Sequence, residues 1–310
     1  MNMEFVKDYK DDVRLRYSFN ELAGLVFGAD FEKWYQTGFW NDRYICYSYT
    51  DDGKVVANVS ANIIDLIIDA ERIPALQIGT VMTHPDYRKR GLAEELMKKV
   101  LADYSNICDV IFLFANPDAQ GFYKKFRFDT ANETCFYTKP SDIRPTTPAG
   151  SNTMSDSRHT SSVVGTNIRK LSMSSKNDIE ILRRLSHQRV PLSNSFDTAN
   201  TEGILQWHCL NSFPEDLYYF ESLDAIVIFG VNGKQLDLYD IICTTKPNYQ
   251  QILGAMNIEG IEEIIFHFTP ETDEIKISRR PYTTKDYIFY VMSKSVKLNG
   301  EFFYPETAHA

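Results

Sequence analysis

The segment with the clearest potential for chemistry is a basic, glycine-bearing loop that opens into a predicted helix. The loop and the first helical residues are Arg88, Lys89, Arg90, Gly91, Leu92 and Ala93. Backbone N–H groups at a helix start have no partner inside the helix, and the helix dipole adds partial positive charge there. Because Gly91 and Ala93 leave little side chain to block close approach, this segment predicts a binding site for a diphosphate group.

The surroundings of the loop decide between this interpretation and a solvated run of charges, which is the commoner meaning of such a run. A predicted strand at residues 76–83 comes before the loop. Apolar residues at three- and four-residue spacing follow it, from Leu92 to Tyr104, and predict an amphipathic helix. The loop has neither the Gly-Lys-Ser/Thr ending of a Walker A loop nor the Gly-x-Gly-x-x-Gly of a dinucleotide fingerprint.

Two blocks of sequence carry a family resemblance. Arg88-x-x-Gly91-x-Ala93 resembles the acyl-CoA pyrophosphate loop of the GNAT (Gcn5-related) N-acetyltransferases. A second predicted strand, at residues 110–115, leads to Asn116 and to AQGFYKKFRF at residues 119–128, which resembles the family's Asn…Phe-Tyr-x-Lys-x-Gly-Phe block. Arg127 stands where that block usually has glycine, so the geometry of this turn is open.

The resemblance implies acetyl-CoA as cofactor and acetyl transfer to a primary amine of a small molecule or peptide, by direct attack in a ternary complex. Backbone groups of Val81, Met82 and Thr83 would orient the pantetheine arm and the thioester carbonyl, and Tyr123 would protonate the leaving thiolate. Asn116 would bond a pantetheine amide or simply end a strand. The alternative is a non-catalytic acyl-CoA-binding sensor or assembly protein.

A general base is also required, because an amine arrives mostly as ammonium, which has no lone pair for attack. Glu32, Asp86 and His84 are candidates, and the sequence does not choose among them. The remaining histidines have no ligand spacing, so we expect no metal site.

Aromatic residues are dense near the start of the chain. Trp34, Tyr35, Trp40 and Tyr44 are candidate substrate-binding residues, since the first helices of a GNAT fold flank the acceptor site. For any single ring, core packing is the alternative.

Composition narrows the class of protein. The chain has 310 residues and a net charge of −9, which argues against a nucleic-acid or anionic-membrane partner. Five dispersed cysteines predict reduced core thiols, and neither a signal peptide nor a membrane span is apparent. We therefore expect a cytoplasmic enzyme and leave a homodimer open.

The element order predicts an α+β architecture. Helices come first, then antiparallel strands that include a hairpin at Asp52-Gly53, then helix, strand, helix and strand. We predict a GNAT domain at residues 1–140, with a mixed, mostly antiparallel sheet flanked by helices, and its last strand at residues 134–137. A Ser/Thr/Pro-rich linker follows at residues 141–166.

Residues 167–310 predict a second, degenerate GNAT-like domain. We expect helices at residues 177–190, 202–211 and 249–256, a hairpin at residues 225–241 that turns on Asn232-Gly233, and strands at residues 261–268 and 287–292. Where the phosphate loop should recur, CTTKPNY (residues 243–249) has no glycine, so we predict one CoA site per chain. This half would close the acceptor side or dimerise.

A more distant resemblance is to tandem-GNAT enzymes related to the Eis aminoglycoside acetyltransferases. Their further C-terminal domain is expected to be absent here, because the chain stops soon after the second repeat. Whether the tail at residues 302–310 reaches the site is open.

Overall fold

The computed structural model describes residues 2–143, 167–294, 296, 298 and 301–310, which form two β-sheets with helices packed on them. The helices are α1 (Val13–Phe27), α2 (Glu32–Gln36), α3 (Leu92–Tyr104), α4 (Gln120–Tyr123), α5 (Lys176–Gln188), α6 (Glu202–Asn211) and α7 (Tyr249–Ala255). The strands are β1 (Met3–Lys7), β2 (Tyr44–Asp51), β3 (Lys54–Ile68), β4 (Glu71–Thr83), β5 (Val110–Ala115), β6 (Asp129–Ala131), β7 (Thr134–Thr138), β8 (Ile168–Lys170), β9 (Phe196–Ala199), β10 (Leu217–Phe220), β11 (Ala225–Asn232), β12 (Gln235–Ile242), β13 (Glu263–Phe266), β14 (Ser278–Pro281) and β15 (Ile288–Ser293). The α+β prediction is confirmed.

The first sheet has the order β1-β2-β3-β4-β5-β15-β6, and β9 pairs with the far end of β3. The β2–β3 hairpin turns at Asp52 and Gly53, which both have positive φ, as a tight hairpin turn requires. Helix α3 packs Leu96, Met97 and Val100 against this sheet. The amphipathic helix predicted after the basic loop is therefore confirmed.

The second sheet has the order β14-β7-β13-β12-β11-β10-β8. The predicted hairpin at Asn232-Gly233 joins β11 to β12, and α7 then carries the chain over to β13, which is parallel to β12. The same arrangement occurs in the first sheet, where α3 connects the parallel strands β4 and β5. The element order therefore repeats, as the sequence indicated.

The assignment of two strands to their sheets was wrong. The strand at residues 134–137 was expected to complete the first sheet, but β7 pairs with β13 and β14 of the second. The final strand of the second half, β15, instead lies between β5 and β6 in the first sheet. Alternation of apolar and polar residues predicts that a segment is a strand, but it does not predict which strand will pair with it. The boundaries at residues 140 and 167 stay predictions, and residues 144–166 of the predicted linker lie outside the described residues.

The two halves also share a core. One cluster combines Phe19 and Trp34 from the first half with Leu182, Leu205 and Ile226 from the second. All five cysteines are free and buried, as expected of core thiols. None of the helices in the described ranges has the length and apolarity that a membrane span requires.

A buried ion pair ties the last residues of the chain to the second sheet. Arg189 donates two hydrogen bonds to the Asp240 carboxylate, both at 2.9 Å, and the Thr307 hydroxyl donates a third at 2.6 Å. The Asp240 side chain is 1% exposed. Removal of the guanidinium would therefore leave a buried carboxylate without its countercharge.

We expect Arg189→Met to lower the free energy of unfolding by about 3–5 kcal/mol, measured by urea denaturation. Arg184→Met is the matched control, because Arg184 makes a similar two-bond pair with Asp224 at the surface. Loss of an exposed pair should cost less than about 1 kcal/mol. Equal losses in the two variants would show that burial of the Asp240 carboxylate does not set the cost.

Candidate active site

A gap between β4 and β5 is the centre of the candidate site. These parallel strands pair at only three positions, from Ala75–Val110 to Gln77–Phe112, and then separate. Beyond this point β4 contains a bulge, because Thr80 and Val81 lie opposite the single residue Val59 of β3. Thr80 has φ +41°, a strained value for a β-branched residue. The bulge turns β4 away from β5.

Hydrogen bonds hold the bulge in place. The Thr80 hydroxyl donates to the Ser60 hydroxyl at 2.8 Å and shares a 2.5 Å hydrogen bond with the Tyr44 phenol. The Asn58 Nδ2 donates to the Thr80 carbonyl at 2.9 Å. All three partners are buried, so the network fixes the backbone where the strands part.

A cavity of about 360 Å³ fills the gap. One side consists of residues 78–81 of β4, residues 114–116, Ala119 and Tyr123. The other side is formed by Phe27, Ala29, Phe31, Trp34, Tyr44 and Asn62, by Ile204 and Trp207 of α6, and by His309 and Ala310. The second half of the chain thus closes part of this cavity, one of the two roles expected for it.

The basic loop follows the end of β4 and leads into the start of α3. Gly91 is the helix N-cap with φ +83°, and no side chain caps the helix, so its first N–H groups are left without an intrahelical partner. Arg88, Lys89 and Arg90 are exposed. The Tyr87 phenol fixes the loop by donating to Asp51 at 2.8 Å, and the Arg90 guanidinium lies 4.8 Å from the Tyr87 ring centroid. An anion could therefore reach these N–H groups from solvent.

The predicted thioester-binding residues have different surroundings. Val81 lines the cavity at the bulge. Met82 is buried in the core, and both Met82 and Thr83 pair with β3. Leu92 and Ala93 form the first turn of α3 and are half-buried. The structure therefore brings Val81 to the cavity wall, and Met82 and Thr83 continue the strand towards the loop.

Tyr123 closes the short helix α4 and lines the cavity. Burial and the neighbouring Tyr290 raise the pKa of Tyr123 to about 12, so the phenol keeps its proton near neutral pH. Asn116 also lines the cavity, and its Oδ1 accepts a hydrogen bond from the Asp118 N–H at 2.9 Å. Arg127 adopts φ +64°, so arginine holds the left-handed turn where glycine was expected.

Of the four predicted substrate-binding rings, Trp34 and Tyr44 line the cavity. The Trp34 indole donates to the Gly203 carbonyl of α6 at 2.9 Å. Trp40 does not line the cavity: it stacks on Trp34 in the core, with ring centroids 5.2 Å apart. Tyr35 lies elsewhere, under the Arg16 guanidinium and hydrogen-bonded to Asp11. The high density of aromatic residues in this part of the sequence did not indicate which rings would line the cavity.

The sequence left open whether the tail reaches the site, and in the structure the tail lines the cavity. Residues 301–310 run from the second sheet to the gap. Two hydrogen bonds hold them there: the Glu306 N–H donates to the His267 carbonyl at 3.0 Å, and the Tyr304 N–H donates to the Glu133 carboxylate at 2.9 Å. With its oxygen facing the Ala310 N–H, the Gln77 carboxamide accepts from it at 2.8 Å and donates to the Ala308 carbonyl at 2.8 Å. The tail thus reaches Gln77, the last residue of β4 that pairs with β5.

Gly79 makes this approach possible. A Cβ on Gly79 would lie 2.8 Å from the Ala310 carbonyl carbon, closer than such atoms come in proteins. His309 stacks on the Phe114 ring, with centroids 3.9 Å apart. A readable signal was the glycine itself, because glycine inside a strand often marks a close approach of another backbone.

The corresponding helix of the second half differs from α3. The N-cap of α7 is Asn248, and its side chain accepts a hydrogen bond from the Gln251 N–H at 2.6 Å. This side chain occupies a position where α3 has only a glycine. The two helix starts therefore differ in their caps, and a single phosphate-binding loop per chain stays a prediction.

Comparison with known proteins identifies the first half. The sequence model of the acetyltransferase (GNAT) domain matches residues 15–131, from α1 to the end of β6. The chain carries a GNAT domain. This match confirms, for that domain, the GNAT resemblance of the sequence. No curated protein matches the chain.

Solved structures share the GNAT fold over almost the whole chain. A conserved protein of unknown function from Enterococcus faecalis V583, described as a probable N-acyltransferase, has 15% sequence identity and a TM-score of 0.61, covering 94% of this chain and 73% of that one. A GCN5-related N-acetyltransferase from Kribbella flavida has 13% identity and a TM-score of 0.53, covering 94% and 72%. Eis1 from Mycobacterium abscessus has 12% identity and a TM-score of 0.53, covering 93% and 72%.

The tail contact at Glu133 predicts a pH dependence of stability. The Glu133 carboxylate accepts hydrogen bonds from the Tyr304 N–H and the Tyr287 phenol, both at 2.9 Å, but burial raises its pKa to about 7. The folded state therefore holds this proton more tightly than the unfolded state. Its contribution to stability is complete below the unfolded pKa and is lost as the pH rises through about 7.

Glu133→Gln cannot ionise and should not show this loss. Relative to the native chain, we expect the free energy of unfolding of the variant to rise by about 2 kcal/mol between pH ~5 and pH ~8, measured by urea denaturation at each pH. Glu259→Gln, at an exposed position, should run parallel to the native chain. A Glu133→Gln curve parallel to the native one would refute the assignment.

Proposed function

We propose that this protein transfers an acetyl group from acetyl-CoA to a primary amine of a small molecule or peptide, by direct attack in a ternary complex. The observation that carries the proposal is the cavity at the β4–β5 gap, because both of its sides border one continuous space. Tyr123 and the β4 bulge form one side of it, and an aromatic wall forms the other. A thioester and an amine in this one space would be held close enough to react without an intermediate on the protein.

The N-terminal end of α3 would hold the diphosphate of coenzyme A. Support comes from the uncapped first turn at Gly91 and from the exposed cations Arg88, Lys89 and Arg90. Main-chain groups of Val81, Met82 and Thr83 would then orient the pantetheine arm and the thioester, with Asn116 on the opposite strand. A main-chain N–H aimed at the thioester oxygen would stabilise the negative charge that develops during attack.

Tyr123 would complete the transfer. The amine nitrogen bonds to the acetyl carbon, the C–S bond breaks, and the Tyr123 phenol gives its proton to the departing thiolate. The amine must lose a proton to a base. None of the candidates Glu32, Asp86 and His84 lines the cavity, and Glu32 is held by Arg16 at 3.0 Å. A water molecule that relays this proton out of the cleft is the route that fits these positions.

Substitution of Arg88 should weaken cofactor binding. We expect Arg88→Gln to raise the Kd of acetyl-CoA by about ten- to a hundredfold, because a charge-assisted hydrogen bond to phosphate is lost. Isothermal titration calorimetry measures this directly. Arg72→Gln is the matched control, since Arg72 lies on the same strand as the bulge but at its other end. Unchanged affinity in Arg88→Gln would show that the diphosphate binds elsewhere.

Tyr123→Phe should lower kcat by about 10²- to 10⁴-fold while the KM for acetyl-CoA changes little, because the variant loses the proton donor but keeps the ring. Release of free thiol over a panel of amines gives both constants. Tyr290→Phe is the control, since its ring centroid lies 5.4 Å from that of Tyr123 but Tyr290 does not line the cavity. Unaltered kcat in Tyr123→Phe would exclude the phenol as the acid. Binding of acetyl-CoA with no turnover of any amine would favour a non-catalytic sensor.

A further inference from the structure

The aromatic side of the cavity has a chemistry that points to a particular class of amine. Of the nineteen residues that line the cavity, none is an aspartate, glutamate, lysine or arginine. The wall opposite Tyr123 contains Phe31, Trp34 and Trp207, and Ile204 of α6 is 8% exposed. A second ammonium group held against this wall would lose its water without gaining a side-chain carboxylate.

Three buried polar atoms of the cavity lining lack hydrogen-bond partners among the described residues: Asn62 Oδ1, Trp207 Nε1 and His309 Nε2. Buried polar atoms are nearly always paired, so three around one cavity indicate a polar ligand. Asn62 is 2% exposed, and its Nδ2 donates to the Gln77 carbonyl at 3.2 Å. That bond fixes the amide, so Oδ1 remains as an acceptor.

The remaining two atoms complete the pattern. Burial lowers the pKa of His309 to about 3, so the ring is neutral at neutral pH. Its other nitrogen bonds to the Tyr304 backbone, which leaves Nε2 with a free lone pair. The Trp207 indole can only donate. These three atoms therefore offer the cavity two acceptors and one donor, set in an apolar wall.

We propose that the amine acceptor is small and mainly apolar, carries a single ammonium group, and presents its N–H donors to Asn62 and His309. The Trp207 N–H would bind an oxygen atom of the acceptor where one is present. This inference rests on the proposed function and names the substrate class for it.

Charge and size both support this class. The faces of the aromatic rings can attract one ammonium group, and no side chain among the described lining residues supplies a countercharge for a second. The cavity of about 360 Å³ must also hold the acetyl thioester. A large polycationic sugar would exceed the space that remains, whereas an arylalkylamine or alkylamine would fill it.

The test compares 2-phenylethylamine and hexylamine with spermidine and kanamycin in a thiol-release assay. We expect kcat/KM for the two apolar monoamines to exceed that for spermidine and kanamycin by at least about tenfold. Equal or better turnover of spermidine or kanamycin would overturn the acceptor class and leave acetyl transfer itself in place.

A charge placed in the wall provides a second readout. Ile204→Glu should lower kcat/KM for 2-phenylethylamine at least about tenfold, without a change in the Kd of acetyl-CoA. Leu25→Glu, on the exposed face of α1, is the matched control and should leave both constants unchanged. An Ile204→Glu variant that folds, as shown by its melting temperature, and keeps native kcat/KM would overturn the proposal.

Binding separates this inference from the proposed function. Trp34 and Trp207 line the cavity, so an amine that enters should quench tryptophan fluorescence in the presence of coenzyme A. If no amine is turned over, acetyl transfer fails as the function. Tighter binding of 2-phenylethylamine than of spermidine, weakened in Ile204→Glu, would still support the acceptor class. Absent or reversed binding would overturn it.

Discussion

A small hydrogen-bond network around Thr80 is the constraint on which the rest of the site depends. Thr80 has a positive φ that a β-branched residue rarely adopts, and it is kept there by Tyr44, Ser60 and Asn58. Without this network β4 would gain by continuing its pairing with β5. The bulge prevents such pairing, and the resulting gap is the cavity. Strain at one residue is therefore balanced by three buried hydrogen bonds.

The second half of the chain contributes to the site in a way that a simple two-domain picture does not anticipate. Helix α6 supplies Ile204 and Trp207 to the cavity wall, and the tail supplies His309 and Ala310. Contacts within the second half hold both elements. In the tail, the Thr307 hydroxyl donates a hydrogen bond to Asp240, and in α6 the Gln206 amide donates one to the Ser186 hydroxyl. The geometry of this wall therefore depends on how the two sheets pack. This dependence explains why the site of one half needs the other.

Local signals in the sequence identified the local parts of the site. The loop at Gly91 and the position of Tyr123 could be predicted because each depends on neighbouring residues and short spacing. A polar stripe at Asn58, Ser60 and Asn62 was also readable, since polar residues alternate there in a buried strand. The helix α6 itself was predicted, but the places of α6 and the tail in the cavity wall were not, because contacts such as Gly79 with Ala310 join distant parts of the chain. The strands β7 and β15 were placed in the wrong sheets for the same reason.

The exchange of β7 and β15 between the sheets has a consequence for biosynthesis. Strand β15 lies between β5 and β6, so the first sheet stays open at that position until residues 288–293 have left the ribosome. The edges of β5 and β6 would meanwhile expose unpaired backbone groups, which are prone to pair with other chains. Domain-by-domain folding during translation is thus unavailable to this protein. The wall of its cavity becomes complete only after synthesis has reached the tail.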